Sequence, residues 1–207
     1  MQPVIVVTHP LARRHLTIMR DVATPPHRFR RQLNLLGRIL FLEATRDLAT
    51  EPVRVLTPLQ ETDGVRLARP MVLVPILRAG LGLLDGIHSL IPDAIVAHVG
   101  IKRDEETAQP RPYYTNLPPG ITDAQVFLLD PMLATGGSAI EAINQLKAAG
   151  ASRIVLICVV SCPEGIATLQ KAHPDVQIIT AAIDDGLNEK NYIVPGLGDA
   201  GDRYFGT

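Results

Sequence analysis

Val126-Phe127-Leu128-Leu129-Asp130-Pro131-Met132-Leu133-Ala134-Thr135-Gly136-Gly137-Ser138 is the stretch on which the fold turns. Its four continuous apolar residues, with no polar alternation, read as a strand buried on both faces. An acid ends the strand, a Thr-Gly-Gly-Ser loop follows, and a helix is predicted over 138–149. Ile140, Ile143 and Leu146 form one stripe of that helix, and Gly150 is placed to stop it. Open α/β sheets bind ligands at the carboxyl ends of their strands, and a helix N-terminus offers unpaired N–H groups to an anion. Two glycines let the backbone close around a phosphate, and the Thr135 and Ser138 hydroxyls add donors. The Walker arrangement needs Gly-Lys-Ser/Thr, and the chain has no Gly-Lys. Asp130 beside such a cradle points to a sugar diol held next to the phosphate.

Similar apolar runs recur at 72–76, 95–99, 154–160 and 176–179. A further helix is predicted over 163–172, opened by a proline in its first turn and by Glu164 at its positive end. Strand–helix–strand alternation predicts an α/β fold, an open and mainly parallel sheet with helices on both faces. Thr24 before Pro25-Pro26 is expected to cap a long helix running towards Asp47. Asp63-Gly64, inside 53–69, is a hairpin-turn signal. The tail 184–207 is rich in Gly and Pro, but Tyr192, Ile193, Val194, Leu197, Tyr204 and Phe205 give it apolar anchors, so an ordered lobe is expected. The organisation expected is a single domain, 1–207, with a hood contributed by the N-terminal part and by 184–207.

Composition excludes several classes. With 46% apolar residues among 207 and a net charge of −1, the chain is neither disordered nor in need of staples to fold. Twenty Lys+Arg balance 21 Asp+Glu, which gives no global reason to expect nucleic acid or anionic lipid as partner. Cys158 and Cys162 are too few and too close for a secreted disulfide scaffold, and no Cys or His pair lies nearby to complete a zinc site, so buried thiols at the end of a core strand are expected. The longest apolar run is far short of a membrane span, and residues 1–7 are too short and lack the basic leader of a secretory signal, so a cytoplasmic protein is expected. Gly196-Leu197-Gly198-Asp199-Ala200-Gly201 is a formal dinucleotide fingerprint without room for its helix, and the glycines at 80–86 have their third member one position late. His27-Arg28-Phe29-Arg30-Arg31 reads first as a solvated helix face, with a second nucleotide site or a subunit contact as alternatives.

The segment 130–138 resembles the phosphoribosyl diphosphate loop of the type I phosphoribosyltransferases, and within them the uracil branch. Pro75-Ile76-Leu77-Arg78-Ala79-Gly80-Leu81-Gly82, the segment 103–107, Gly186-Leu187-Asn188 and the tail from Tyr192 to Thr207 resemble the same branch. The similarity runs from His9 to the last residue. Many members of the superfamily carry two adjacent acids at the strand end; Asp130-Pro131 matches the uracil branch instead, while Lys102 stands where that branch has tyrosine. The resemblance implies transfer of a 5-phosphoribosyl group from phosphoribosyl diphosphate to uracil, giving UMP and diphosphate for pyrimidine salvage. Mg²⁺ as cofactor, a homo-oligomer (dimer or tetramer) and, for some members, a GTP activator are implied with it. Alternatives are another base as acceptor, or a non-catalytic RNA-binding regulator, which the charge balance disfavours. By the same resemblance Arg78, Arg103, Asp130, Pro131, Met132, Leu133, Ala134, Thr135, Gly136, Gly137, Ser138 and Asp199 bind phosphoribosyl diphosphate. Ile193, Gly198, Asp199 and Ala200 bind uracil. Catalysis falls to Asp130, Arg103 and Asp199, the last reaching the metal through water, and 102–116 is a loop closing over the site.

Overall fold

The computed structural model describes residues 2–103 and 110–207, Arg103 by its backbone alone. The chain opens with β1 (Val4–Val6) and α1 (Pro10–Arg20), where proline takes the first helical turn and the His9 ring accepts from the Leu11 N–H. α2 (Pro26–Ala44) buries Phe29, Leu33, Leu36 and Leu40 completely, at the spacing that keeps one helix face inward. A hairpin of β2 (Thr50–Leu56) and β3 (Glu61–Leu67) leads to β4 (Met71–Leu77), α3 (Leu81–His88) and β5 (Ile95–Val96). Next come β6 (His98–Arg103), β7 (Pro110–Asn116), β8 (Gln125–Leu129) and β9 (Met132–Leu133). α4 (Gly137–Ala148), β10 (Ile154–Ser161), α5 (Pro163–Ala172) and β11 (Gln177–Ile183) complete the α/β part. The tail forms β12 (Gly186–Leu187), β13 (Ile193–Val194) and α6 (Ala200–Phe205).

The main sheet runs β1-β11-β10-β8-β4-β6-β7, with β5 also on β4 and β9 also on β10. Its pairs are parallel except for β6 with β7. Leu73, Phe127, Leu129, Ile157 and Ile179 pack with α1, α2 and α3 in one core. Their neighbours Val72, Val74, Val126, Leu128, Leu156 and Cys158 pack with α4 and Leu169 of α5 in the other. Successive strand residues face opposite sides, and each side meets helices, so these runs are apolar throughout. Each large side chain so buried contributes about 1.5–3 kcal/mol. Because β4 and β8 are adjacent and parallel, with Pro75 opposite Leu129, both deliver their carboxyl ends to the same edge of the sheet.

The ends of the chain depart from the sequence reading in instructive ways. Thr24 does not cap α2: its hydroxyl donates back to the Ile18 carbonyl at 2.6 Å, closing α1, and α2 starts after Pro25 without a side-chain cap. α2 ends at Ala44, where the Thr45 hydroxyl donates to the Phe41 carbonyl. The hairpin exists, but Asp63 and Gly64 lie inside β3, opposite Arg54 and Val53. The turn belongs to Thr57, whose hydroxyl accepts from the Leu59 and Gln60 N–H groups and donates to the Gln60 carbonyl. The run 95–99 divides between β5 and β6. Residues 102–116 are not an open loop, because β6 and β7 pair as a hairpin on either side of 104–109, which fall outside the described residues. The tail is ordered, and Ile193, Leu197, Ala200 and Tyr204 join the core beneath it.

Candidate active site

β8 stops at Leu129 because the next residues leave the regular ladder. The Asp130 N–H still donates to the Ile157 carbonyl at 3.2 Å, but Pro131 has no N–H, and its carbonyl accepts from both Val159 and Val160. The strand resumes as β9 against Val160 and Ser161. This break turns Asp130 out of the sheet at its carboxyl edge. Its carboxylate accepts a long hydrogen bond from the Met132 N–H, at 3.4 Å, and burial pushes its pKa up to about 7.

The Thr-Gly-Gly-Ser loop follows at once. Gly136 caps α4 with φ +84°, a left-handed conformation open to glycine, and Gly137 begins the helix. Below the loop lies the start of α5: a Cβ on Gly165 would stand 2.2 Å from the Ala134 carbonyl oxygen, and the Cys162 thiol donates to the same oxygen at 3.1 Å. Asp130 and Met132 to Ala139 line a small cradle over the α4 N-terminus. The cradle adjoins a cavity of about 410 Å³ bounded by Asp130, Met132, Ala134 and Ser138 on one side and by Lys190–Tyr192 and Gly198–Gly201 on the other, with Ala79 between.

The tail side owes its shape to two asparagines and a capped helix. Asn188 accepts from the Lys190 and Tyr192 N–H groups, and Asn191 takes a positive φ of 61° in the tight turn joining β12 to β13. Glu164, at the start of α5, accepts from the Leu187 N–H and ties this turn to the helix beneath the 134–138 loop. Asp199 caps α6 through Oδ1, which accepts from the Asp202 N–H at 2.8 Å. Gly198, Asp199 and Ala200 therefore face Asp130 and Ser138 across the cavity.

Other expected residues fall nearby but not in its wall. Ile193 is buried in the core, with its main chain paired to Leu187. Arg78 follows β4 at the same sheet edge as Asp130; its guanidinium lies 3.4 Å from the Asp202 carboxylate and 5.5 Å from the centre of the Phe205 ring. The Arg103 side chain lies outside the described residues. Lys190, Asn191 and Ala79 line the cavity without having been picked out from the sequence. The one local signal, an Asn three residues before another Asn in a Gly-rich tail, marks a turn and not a ligand.

Both free thiols are buried. Cys158 has its pKa pushed up to about 12 by burial, and that of Cys162 is also raised. Among the described residues no group of three His, Cys, Asp or Glu side chains is placed to hold a metal alone. Two carboxylates, Asp130 and Asp199, do border the same cavity. That donor set fits Mg²⁺, which keeps several waters and is commonly shared between one or two carboxylates and substrate phosphates.

An acid at a parallel strand end, a glycine-shaped cradle on the next helix and the tail across the gap thus make up one site at the carboxyl edge of an open α/β sheet. A solved adenine phosphoribosyltransferase from Thermoanaerobacter pseudethanolicus shares this fold, with TM-score 0.51 over 74% of this chain and 81% of that one at 11% identity. The narrower relation is carried by sequence. The family model described as Uracil phosphoribosyltransferase matches residues 6–207, and the chain belongs to that family. It is 51% identical over 208 residues to a uracil phosphoribosyltransferase of Streptococcus pneumoniae, covering 100% of both chains. A Streptococcus pyogenes protein of the same name is 51% identical over 203 residues, 98% of this chain and 97% of that one. A solved Aquifex aeolicus structure superposes with TM-score 0.93 at 35% identity, covering 98% of each chain.

Proposed function

We propose that this chain carries out its family's reaction, moving the 5-phosphoribosyl group from phosphoribosyl diphosphate to uracil, on the residues that meet in the 410 Å³ cavity. The observation that carries the reading is the facing of two walls there: Asp130 with the phosphate cradle, and Gly198–Ala200 of the tail. Thr135 to Ser138 hold the 5-phosphate, an anchor remote from the reacting carbon. Asp130 binds the ribose hydroxyls and faces the positive charge that grows on the sugar as the C1–O bond breaks, its electron pair leaving with diphosphate. Arg78 exchanges the Asp202 carboxylate for diphosphate oxygens, and Arg103 joins it on the leaving group. Uracil N1 bonds to C1 and loses its proton to Asp199, whose Oδ1 is engaged in the α6 cap, leaving Oδ2 to act. Asp199 would hold Mg²⁺ through water, and the metal would supply neutralisation of charge on diphosphate. Main-chain donors and acceptors of Gly198–Ala200 meet the uracil imide edge and would be left unpaired against cytosine, while Ile193, outside the wall, supports them from the core.

The remaining roles follow from surface chemistry. Arg14, His27, Arg28 and Arg31 gather at a cavity of about 400 Å³ between α1 and α2, and we assign the GTP activator to it. Leu56, Leu59 and Val65 stand exposed on the β2–β3 hairpin and support a homo-oligomer, read by light scattering. No helix among the described residues is long and apolar enough to cross a membrane; a cytoplasmic location and a single domain, 1–207, complete the proposal. The deciding experiment supplies phosphoribosyl diphosphate, Mg²⁺ and each free base in turn. UMP from uracil and nothing from cytosine or purines is expected; a different nucleotide product overturns the reading.

A further inference from the structure

The turn at 195–198 is held from outside by an ionic clamp. Asp184, just beyond β11, is rooted by its own N–H, which donates to the Ser161 carbonyl at 2.8 Å. Its side chain, only 5% exposed, accepts from Arg20 with both oxygens, at 2.6 and 2.7 Å. Asp184 Oδ2 also accepts from the Gly196 N–H at 2.8 Å, and Arg20 donates to the Gly196 carbonyl at 2.7 Å. One residue thus has its donor held by the acid and its acceptor held by the base. Arg203 continues the pattern, donating to the Leu197 carbonyl at 2.9 Å and to the Asp21 carbonyl at 2.7 Å while lying 4.6 Å over the Phe29 ring. Gly196 itself sits at φ +60°, where a Cβ would come 2.1 Å from the Ile193 carbonyl oxygen.

The consequence is directional. The carbonyls of Gly196 and Leu197 are taken by arginines that do not line the cavity, and the main chain first reaches the cavity at Gly198. A planar bidentate guanidinium fixes orientation as well as distance, which an ammonium or an apolar contact does not. Removing one partner would leave a buried charge unpaired, so the pair specifies an arrangement more than it adds stability. We propose that Arg20 and Asp184 are positioning residues for base selection: they hold the 195–198 turn so that Gly198–Ala200 present their main chain to the base in one register. The inference rests on the reading of Gly198–Ala200 as the base-binding wall. Neither residue borders the cavity, so the effect passes through the turn.

The test uses Arg20→Lys, Arg20→Met and Asp184→Asn. The KM for uracil should rise at least tenfold in Arg20→Met and Asp184→Asn, and less in Arg20→Lys, which keeps one donor. The ratio of kcat/KM for uracil over cytosine should fall at least fivefold. The Kd for phosphoribosyl diphosphate, by calorimetry, should stay within twofold. A core variant of similar thermal destabilisation, Leu40→Val, should leave the uracil KM unchanged, which separates positioning from a general loss of stability. Arg20 is at the edge of the solvent, so Arg20→Lys decides the matter where Asp184→Asn does not fold. An unchanged uracil KM, or equal losses for both substrates, overturns the clamp. Gly198→Val run alongside separates the two readings: a raised uracil KM there with none in the Arg20 variants overturns the clamp alone. No rise in any variant overturns the base wall and the clamp together.

Discussion

Gly165 and Ala134 touch so closely that no side chain fits between them: a Cβ on Gly165 would lie 2.2 Å from the Ala134 carbonyl oxygen and 2.6 Å from that of Leu133. The start of α5 is thus the floor on which the 134–138 loop, the proposed phosphate site, rests. Gly165→Ala must lift that loop or displace the helix. Affinity for phosphoribosyl diphosphate is expected to fall at least tenfold by calorimetry, with a lower melting temperature. Affinity within twofold of wild type would mean that the loop does not depend on its floor.

Gly137 tests the cradle from above. It has an ordinary φ, and a Cβ there would meet Pro110 at 3.7 Å, normal contact. Gly137→Val should therefore melt close to wild type yet fill the space where phosphate oxygens approach the α4 N-terminus. Loss of measurable phosphoribosyl diphosphate binding in a folded protein is the expected result. Retained binding would move the phosphate elsewhere.

Asp130 carries a pH signature. Burial holds its carboxyl near pKa 7 in the free protein, so the ionised form that faces positive charge is reached only as pH rises through that value. The kcat/KM for phosphoribosyl diphosphate should rise across an acid limb between about pH 6 and 8. Asp130→Asn should abolish the limb and lower kcat by about 10²-fold, more than it weakens binding. A limb that persists in the variant would belong to another group.

The thiols should be silent. Cys158 is fully buried and its pKa lies at about 12, so alkylating reagents at pH 8 should not label it in the folded protein. Replacing Cys158 and Cys162 together by Ala should cost about 1–3 kcal/mol in urea unfolding, with turnover per folded molecule near wild type. A folded, inactive double variant would assign one of them to catalysis.

Much of the sheet could be read from residue order, because a strand buried on both faces has to be apolar at every position and few other elements are. Residues 126–129 and 154–160 follow that rule, and the helices after Gly136-Gly137 and at Pro163 began where their glycines and proline placed them. The misreadings cluster where a hydroxyl decides the local path. Thr24 and Thr57 each have a near-equal choice of backbone partners, and only the tertiary setting chooses between them. Asp63-Gly64 carried a strong turn signal that the Thr57 turn and the cross-strand Arg54–Asp63 pair outcompeted. The cradle of the candidate site was local and therefore legible. The opposite wall was recognised by resemblance alone, since Asp184, Arg20 and Gly196 meet across 176 positions of sequence and leave no spacing to detect.

The raised carboxyl of Asp130 also sets a trade-off between persistence and work. An acid harder to ionise in the folded chain than in the unfolded one binds its proton more tightly when folded, so between about pH 4 and 7 its contribution to stability declines as pH rises. Over the same interval the proportion of chains with a charged Asp130 grows. The fold is thus most comfortable with this residue where the site is idle, and readiness for a cationic ribose is gained by tolerating a buried negative charge. Asp130→Asn should accordingly flatten the pH dependence of the melting temperature in that range, and a stabilised but idle protein at neutral pH is its expected outcome.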